Sequence, residues 1–245
     1  MSKYVDAHCH IEDKAFNKNR DEVVKRAKEN NVIIITSGAS FGGCVRALNC
    51  KRLYDIYLTL GYHPSRVNAD DKIINKVYNL IKENEKEILA VGEIGMDVKI
   101  ENIKRQEEIF KKFLELSKEI NKPIVAHARG FEERIFKLSD QPIMFHCYSG
   151  SLELAKEIGE SGNLISISTL VCFSEHHKKL VEKLDIDYIT TETDSPYLSP
   201  IKKQRNEPIN VKFVYKIISE IKEMDINEVK NIIYKNTCKF FKKKL

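Results

Sequence analysis

An eightfold alternation constrains this chain more than any other feature. Short β-branched or apolar runs occur at residues 4–7, 32–36, 56–60, 88–91, 123–126, 143–145, 164–167 and 188–190. Stretches of helical character lie between most of them, at 19–30, 71–84, 104–120, 152–160 and 174–184, with a shorter one at 131–138. The clearest is 104–120, where Ile109, Phe110, Phe113, Leu114, Ser117 and Ile120 recur at three- and four-residue steps and so share one face. A strand followed each time by a helix implies parallel pairing, because the helix carries the chain back to the starting edge. In 245 residues, eight such units are expected to close into an α/β fold of the (β/α)8 TIM-barrel type, one domain over 1–245, with an additional C-terminal helix at 227–240. An open doubly wound sheet is the competing arrangement, but no G-x-G-x-x-G follows the first run.

Composition narrows the function classes. Hydrophobic residues at 42% with 31% charged residues suit a folded globule and exclude a disordered chain. The net charge is +5, but Lys239, Lys242, Lys243 and Lys244 at the C-terminus supply most of it, so any site for a polyanion must be local. The opening Met1-Ser2-Lys3-Tyr4-Val5-Asp6 lacks the apolar core of a signal peptide. The longest apolar runs, such as 32–35, fall far short of the ~20 residues that cross a bilayer. A cytoplasmic protein without a membrane partner is expected, and a monomer is favoured. The six cysteines form no C-x-x-C pair, which points to reduced thiols.

The unusual polar residues sit at the ends of the apolar runs. His8 and His10 follow the first run, His63 the third, Glu93 the fourth, His127 the fifth, His146 the sixth and Asp194 the eighth. In a barrel all seven lie at the C-terminal face, where barrel active sites are found. His176 and His177 fall elsewhere, in the seventh helix. Each residue alone has an ordinary reading: hydrogen-bonded core histidines, a glycine-rich turn around Glu93, a helix cap at Asp194. Residues two apart on a strand share a face, so His8 and His10 point together while Cys9 packs behind the barrel wall. The glycines flanking Glu93 in Gly92-Glu93-Ile94-Gly95 are expected to let the backbone approach a ligand.

Taken together the ordinary readings fail, because this many imidazoles and carboxylates in one mouth are costly to desolvate without cations. Histidine and carboxylate ligands without cysteine suit Zn2+, Mn2+ or Mg2+. Charge favours two divalent ions over one. Glu93, Asp194 and a hydroxide leave a one-ion site negative, whereas a two-ion site is slightly positive and attracts phosphate. Glu93 is the best candidate to bridge the pair. His63, Arg129 and the group Lys202, Lys203 and Arg205 are positioned to meet phosphate oxygens, although an ordinary solvated loop explains the last three about as well.

At this point the sequence resembles the TatD family of metal-dependent deoxyribonucleases, within the amidohydrolase-like barrels. The resemblance runs in order through Val5-Asp6-Ala7-His8-Cys9-His10, Gly61-Tyr62-His63-Pro64, Gly92-Glu93-Ile94-Gly95-Met96-Asp97, His127-Ala128-Arg129, Phe145-His146-Cys147-Tyr148-Ser149-Gly150, Glu192-Thr193-Asp194-Ser195-Pro196-Tyr197 and Arg205-Asn206-Glu207-Pro208. It implies one metal held by His8, His10, Glu93 and Asp194 and a second by Glu93, His127 and His146. It implies a phosphodiesterase acting on DNA as substrate, usually at a 3′ end, with His63, Arg129 and Arg205 on the substrate side. Two departures, Met96-Asp97-Val98 for the family's Leu-Asp-Tyr and Gly130 after Arg129, bear on substrate preference rather than metal binding. The expected reaction is hydrolysis by water that the two ions activate, with Glu93 and Asp194 as the catalytic carboxylates and Asp194 accepting the proton. D-aminoacyl-tRNA deacylation, other ester or amide hydrolysis, and a catalytically silent binding protein are the competing functions.

Overall fold

The computed structural model describes residues 3–245; Met1 and Ser2, where the expected domain begins, lie outside the described residues. Each apolar run seeds a strand: β1 (Tyr4–Cys9), β2 (Val32–Gly38), β3 (Tyr57–Tyr62), β4 (Val91–Asp97), β5 (Ile124–Arg129), β6 (Ile143–Phe145), β7 (Leu164–Ile167) and β8 (Ile189–Thr191). Neighbours in sequence are neighbours in the sheet, and every pairing is parallel. The strands are buried almost end to end, as expected when helices cover one face and opposing strands the other.

Side chains and loop backbone bridge the seam between β8 and β1. Thr191 Oγ1 donates to the Val5 carbonyl at 2.7 Å, and the Thr193 amide and hydroxyl donate to the buried Asp6 carboxylate at 2.8 and 2.7 Å. The Asp194 amide donates to the His8 carbonyl at 3.0 Å. The result is a nearly closed (β/α)8 barrel with a further C-terminal helix, as the alternation implied.

The helices are α1 (Arg20–Glu29), α2 (Phe41–Tyr54), α3 (Asp71–Glu83), α4 (Ile103–Glu119), α5 (Glu132–Leu138), α6 (Leu152–Glu160), α7 (Glu175–Lys183), α8 (Val211–Lys222) and α9 (Ile226–Phe240). Side-chain caps start several of them, including Ser40 on the Gly43 amide and Ser151 on the Leu154 amide. Periodicity did not announce α2 or α8. The first opens on Phe41-Gly42-Gly43 and buries mostly small residues, Cys44, Ala47 and Cys50 among them, so no apolar stripe stands out. The second buries Val211, Val214, Tyr215 and Ile218, but exposed Phe213 and partly buried Ile217 blur the pattern. Phe240, Phe241 and Leu245, at and beyond the end of α9, pack with Val5, Ile33, Val125, Met144 and Leu164 from the N-terminal ends of the strands.

One strand differs from its expectation in a way that matters. β4 begins at Val91 and runs through Gly92, Glu93 and Gly95 to Asp97, rather than ending at Val91. Glycine and acidic residues are poor strand formers, so the apolar signal stopped early, while pairing to β3 and β5 carries the strand onward. Glu93 therefore sits within a strand, as do His8 and His127, and only His10, His63, His146 and Asp194 lie just past one. The glycines allow the close approach of the neighbouring strand. A Cβ at Gly92 would stand 2.5 Å from Val125 Cβ, and one at Gly95 (φ +152°) 1.8 Å from the His127 carbonyl oxygen. All six cysteines are free, and Cys9 is buried with its thiol on the Ile35 carbonyl at 3.5 Å, behind the wall as expected. No helix among the described residues is long and apolar enough to cross a membrane.

Candidate active site

The ends of β1, β4, β5, β6 and β8 bring the six expected ligands into one cluster, with Glu93 at its centre. Its two carboxylate oxygens face different partners. Oε1 lies 3.0 Å from His127 Nδ1, 3.0 Å from His146 Nε2 and 3.4 Å from His63 Nε2. Oε2 lies 3.9 Å from His8 Nε2 and 3.7 Å from His10 Nε2. Asp194 closes the second group, its Oδ1 standing 3.9 Å from His8 Nε2 and 3.5 Å from His10 Nε2. Asp194 adopts a left-handed backbone (φ 54°), held by its own amide on His8 and by the Tyr197 amide on its carbonyl, so helix capping does not explain it.

The far nitrogen of each ring sets what the near one offers. His10 Nδ1 donates to the Ser37 carbonyl at 2.8 Å, leaving Nε2 toward the cluster. His127 Nε2 is 2.9 Å from Asp97 Oδ2 and His146 Nδ1 is 3.3 Å from Glu192 Oε1, which turns His127 Nδ1 and His146 Nε2 inward. A histidine backed by a carboxylate or carbonyl in this way is the usual arrangement of a metal ligand. His63 is different. The Ser65 amide donates to its Nδ1 at 3.0 Å, so the neutral ring carries its hydrogen on Nε2 and presents a donor to the cavity.

The protonation tendencies reveal a site in need of positive charge. Burial raises the Glu93 carboxyl, yet His63, His146 and His127 around it hold it well below the ordinary carboxylate range. Burial lowers His146 and His10, but Glu93 and Glu192 pull the first well above its usual value, and Asp194 and Glu12 do the same for the second. His127 rises as Asp97 and Glu93 outweigh its burial. His63 falls to about 4, because burial prevails over the attraction of Glu93. His8 falls well below its usual value through burial and the neighbouring His146, and neither of its ring nitrogens has a hydrogen-bond partner among the described residues although His8 is buried. An unpartnered buried nitrogen is costly. A divalent cation on the Nε2 side of His8 would satisfy it and supply the charge that the other rings otherwise take up as protons. The donor set fits such ions, and His8, His10 and Asp194, or His8, Glu93 and His146, bring ligand atoms within 4.8 Å of one another.

A cavity of about 550 Å3 opens above the cluster. Arg129 lines it, half exposed, with Nη1 3.2 Å from Asp97 Oδ2. Arg205 is not brought there. Its guanidinium bonds the Ala15 carbonyl and Asn19 Oδ1, pairs with Glu207 at 3.5 Å and lies 4.2 Å over the Phe16 ring, strapping the β1–α1 segment to the loop after β8. Lys202 and Lys203 also stand outside the cavity lining, both exposed. His176 and His177 bond Gly150, Ser174 and Ser149, apart from the cluster as expected.

Sequence reasoning missed the supporting carboxylates Asp97, Glu192 and Glu12. Glu12 is buried, accepts from Thr36 Oγ1 at 2.6 Å and stands 3.5 Å from His10 Nδ1. Burial lifts the Asp97 carboxyl, but bonds from His127 and the Lys99 amide bring it to about 2. Spacing carried a usable signal: Glu12 continues the 8, 10 series and Glu192 precedes Asp194 by two.

The family described as TatD related DNase matches residues 5–242. The chain belongs to the TatD family. It is 74% identical to a metal-dependent hydrolase of Methanocaldococcus jannaschii over 99% of this chain and 98% of that one. It is 27% identical to the human deoxyribonuclease TATDN3 over 98% of this chain and 94% of that protein. Among solved structures, the TatD homologue YjjV of Escherichia coli superposes with a TM-score of 0.91 at 24% identity, covering 98% of each chain, which establishes the shared fold.

Proposed function

We propose that this TatD-family protein is a metal-dependent phosphodiesterase that removes nucleotides from DNA ends as a 3′ exonuclease. The observation that carries the reading is the divided Glu93 carboxylate, with one oxygen toward His127 and His146 and the other toward His8 and His10. A carboxylate so placed suits two cations sharing one bridge, with His8, His10 and Asp194 completing one site and His127 and His146 the other. Divalent ions held by these residues would lower the pKa of water and polarise a phosphoryl oxygen.

The chain's own groups supply the rest. Asp194, with its carboxylate at the cavity edge and its backbone fixed on both sides, accepts the proton of the attacking water. His63, whose Ser65-fixed tautomer places its hydrogen on Nε2 near Glu93 Oε1, offers that donor to a non-bridging phosphate oxygen. Arg129 keeps one nitrogen on Asp97 and offers its remaining N–H groups to the same phosphate, where charge accumulates as the bond breaks. The naming of the human relative as a deoxyribonuclease supports DNA as the substrate.

The test pairs elemental analysis with a labelled oligonucleotide. About two divalent ions per chain and stepwise shortening from the 3′ end, abolished by chelator, are expected. Hydrolysis confined to acyl esters such as a D-aminoacyl-tRNA, with the oligonucleotide intact, defeats the proposal.

A further inference from the structure

We infer that the cavity mouth has a base-binding wall opposite a phosphate-binding wall, and that Tyr197 is the platform on which the substrate's terminal nucleobase stacks. The inference rests on the phosphodiesterase reading above and names the part of the substrate that the site grips beyond the phosphate.

Tyr197 lines the cavity yet is 55% exposed, which sets it apart from Phe145 and Tyr148, buried aromatics of the same lining. Its one ring contact among the described residues is with His10, at 6.1 Å and 73°, and its hydroxyl has no hydrogen-bond partner among them. The backbone beneath it is firmly tied. The Tyr197 amide bonds the Asp194 carbonyl at 2.9 Å, the Asn206 amide bonds the Pro196 carbonyl at 3.1 Å, and Thr169 Oγ1 bonds the Leu198 carbonyl at 2.6 Å. The ring is thus held out from an anchored segment beside two of the expected ligands. Leu170 and Leu198 belong to the same lining.

Barrel order puts the complementary chemistry across the mouth. In a ring of eight strands β4 stands opposite β8, and the ends of β3 and β5 flank that point. Those ends contribute His63, Arg66 and Arg129 to the lining. One wall therefore offers an exposed aromatic face, and the opposite wall offers an imidazole donor and two guanidinium groups. A nucleotide has the matching division, a flat base at one end and a phosphate at the other. Stacking accepts every base because each has a π-face. An enzyme that shortens DNA of any sequence needs this kind of grip.

The test compares removal of the last residue from two oligonucleotides, one ending in an ordinary 3′ nucleotide and one in an abasic residue. Wild type, Tyr197→Ala and Tyr197→Phe are used, with metal content measured for each. Wild type is expected to favour the base-bearing end by about five- to a hundred-fold in KM, the range that one stacked base confers. Tyr197→Ala loses that preference at unchanged metal content, and Tyr197→Phe, which keeps the ring, recovers most of it. A wild type indifferent to the base, or a Tyr197→Ala variant that retains the preference, overturns the proposal. Should wild type cut neither oligonucleotide, the phosphodiesterase reading fails. The stacking wall is then judged by binding of thymidine monophosphate against deoxyribose 5-phosphate to the metal-loaded protein: tighter binding of the nucleotide, lost in Tyr197→Ala, sustains it, and equal binding refutes it.

Discussion

The two ends of the barrel are built on opposite terms. At the N-terminal end, Val5, Ile33, Val125, Met144 and Leu164 meet Phe240, Phe241 and Leu245 in a closed apolar cluster. At the C-terminal end, five imidazoles and two carboxylates crowd together, and buried His8 has no hydrogen-bond partner for either nitrogen among the described residues. Dry packing stabilises the first end outright, whereas the second buries charged and unpartnered polar groups at a cost in stability. One end holds the fold and the other spends part of that stability on a site, so substitutions at the two ends are expected to separate activity from folding.

The largest separation is expected for Glu93→Ala. Losing the shared carboxylate lowers kcat/KM by roughly 10^3-fold or more, comparable to removing a principal electrostatic group from an active site. Bound metal falls with it in elemental analysis. A variant that keeps full ion content and activity would break the comparison at its polar end. The converse is Phe241→Ala, which removes a ring that is 5% exposed in the apolar cluster. It should cost about 3–5 kcal/mol in denaturant unfolding with kcat nearly unchanged. Asp97→Ala tests the support beneath the ligands: loss of its 2.9 Å contact with His127 should weaken metal affinity about 10- to 100-fold, as read by titration of the metal-free protein.

His177 sharpens the contrast from within the polar end, because it is buried between two serines and belongs to no ligand group. Burial and the adjacent His176 lower it from 6.5 to about 4, so the folded state refuses a proton that the unfolded chain accepts. Its contribution to stability is therefore complete above pH 6.5 and is lost as the pH falls toward 4. Melting curves over that range should flatten in His177→Gln, by a contribution on the order of 1–3 kcal/mol. The smallest effect is assigned to Arg205→Ala. Its guanidinium lies on Phe16 and not in the cavity, so KM should move less than about two-fold while stability falls by about 1 kcal/mol. A large KM effect would return Arg205 to the substrate side.

Most of the site was legible because strand ends are legible. His8, His10, His63, His127, His146 and Asp194 each end or follow an apolar run, and a parallel barrel sends all such ends to one face. Glu93 was found by its motif while its strand was not, since Gly92, Glu93 and Gly95 hide β4 from any propensity argument. The supporting acids were harder. Asp97 on β4 reaches His127 on the neighbouring β5 and Glu192 reaches His146 from just past β8; the spacing of Glu192 from Asp194 hints at a role, but only the folded sheet creates either pairing. Arg205 was misplaced for the same reason: its partners, Ala15, Phe16 and Asn19, lie at the other end of the chain.

The order of apolar runs and helices was enough to determine the barrel, the face on which chemistry gathers and the residues able to hold cations there. These are consequences of local patterning, repeated eight times. Tertiary structure alone decided which nitrogen of each imidazole points inward, how the Glu93 oxygens are shared, and that Tyr197 stands exposed in the cavity lining. Those features depend on contacts between residues far apart in the chain, and closure of the sheet is what brings such residues within hydrogen-bonding reach.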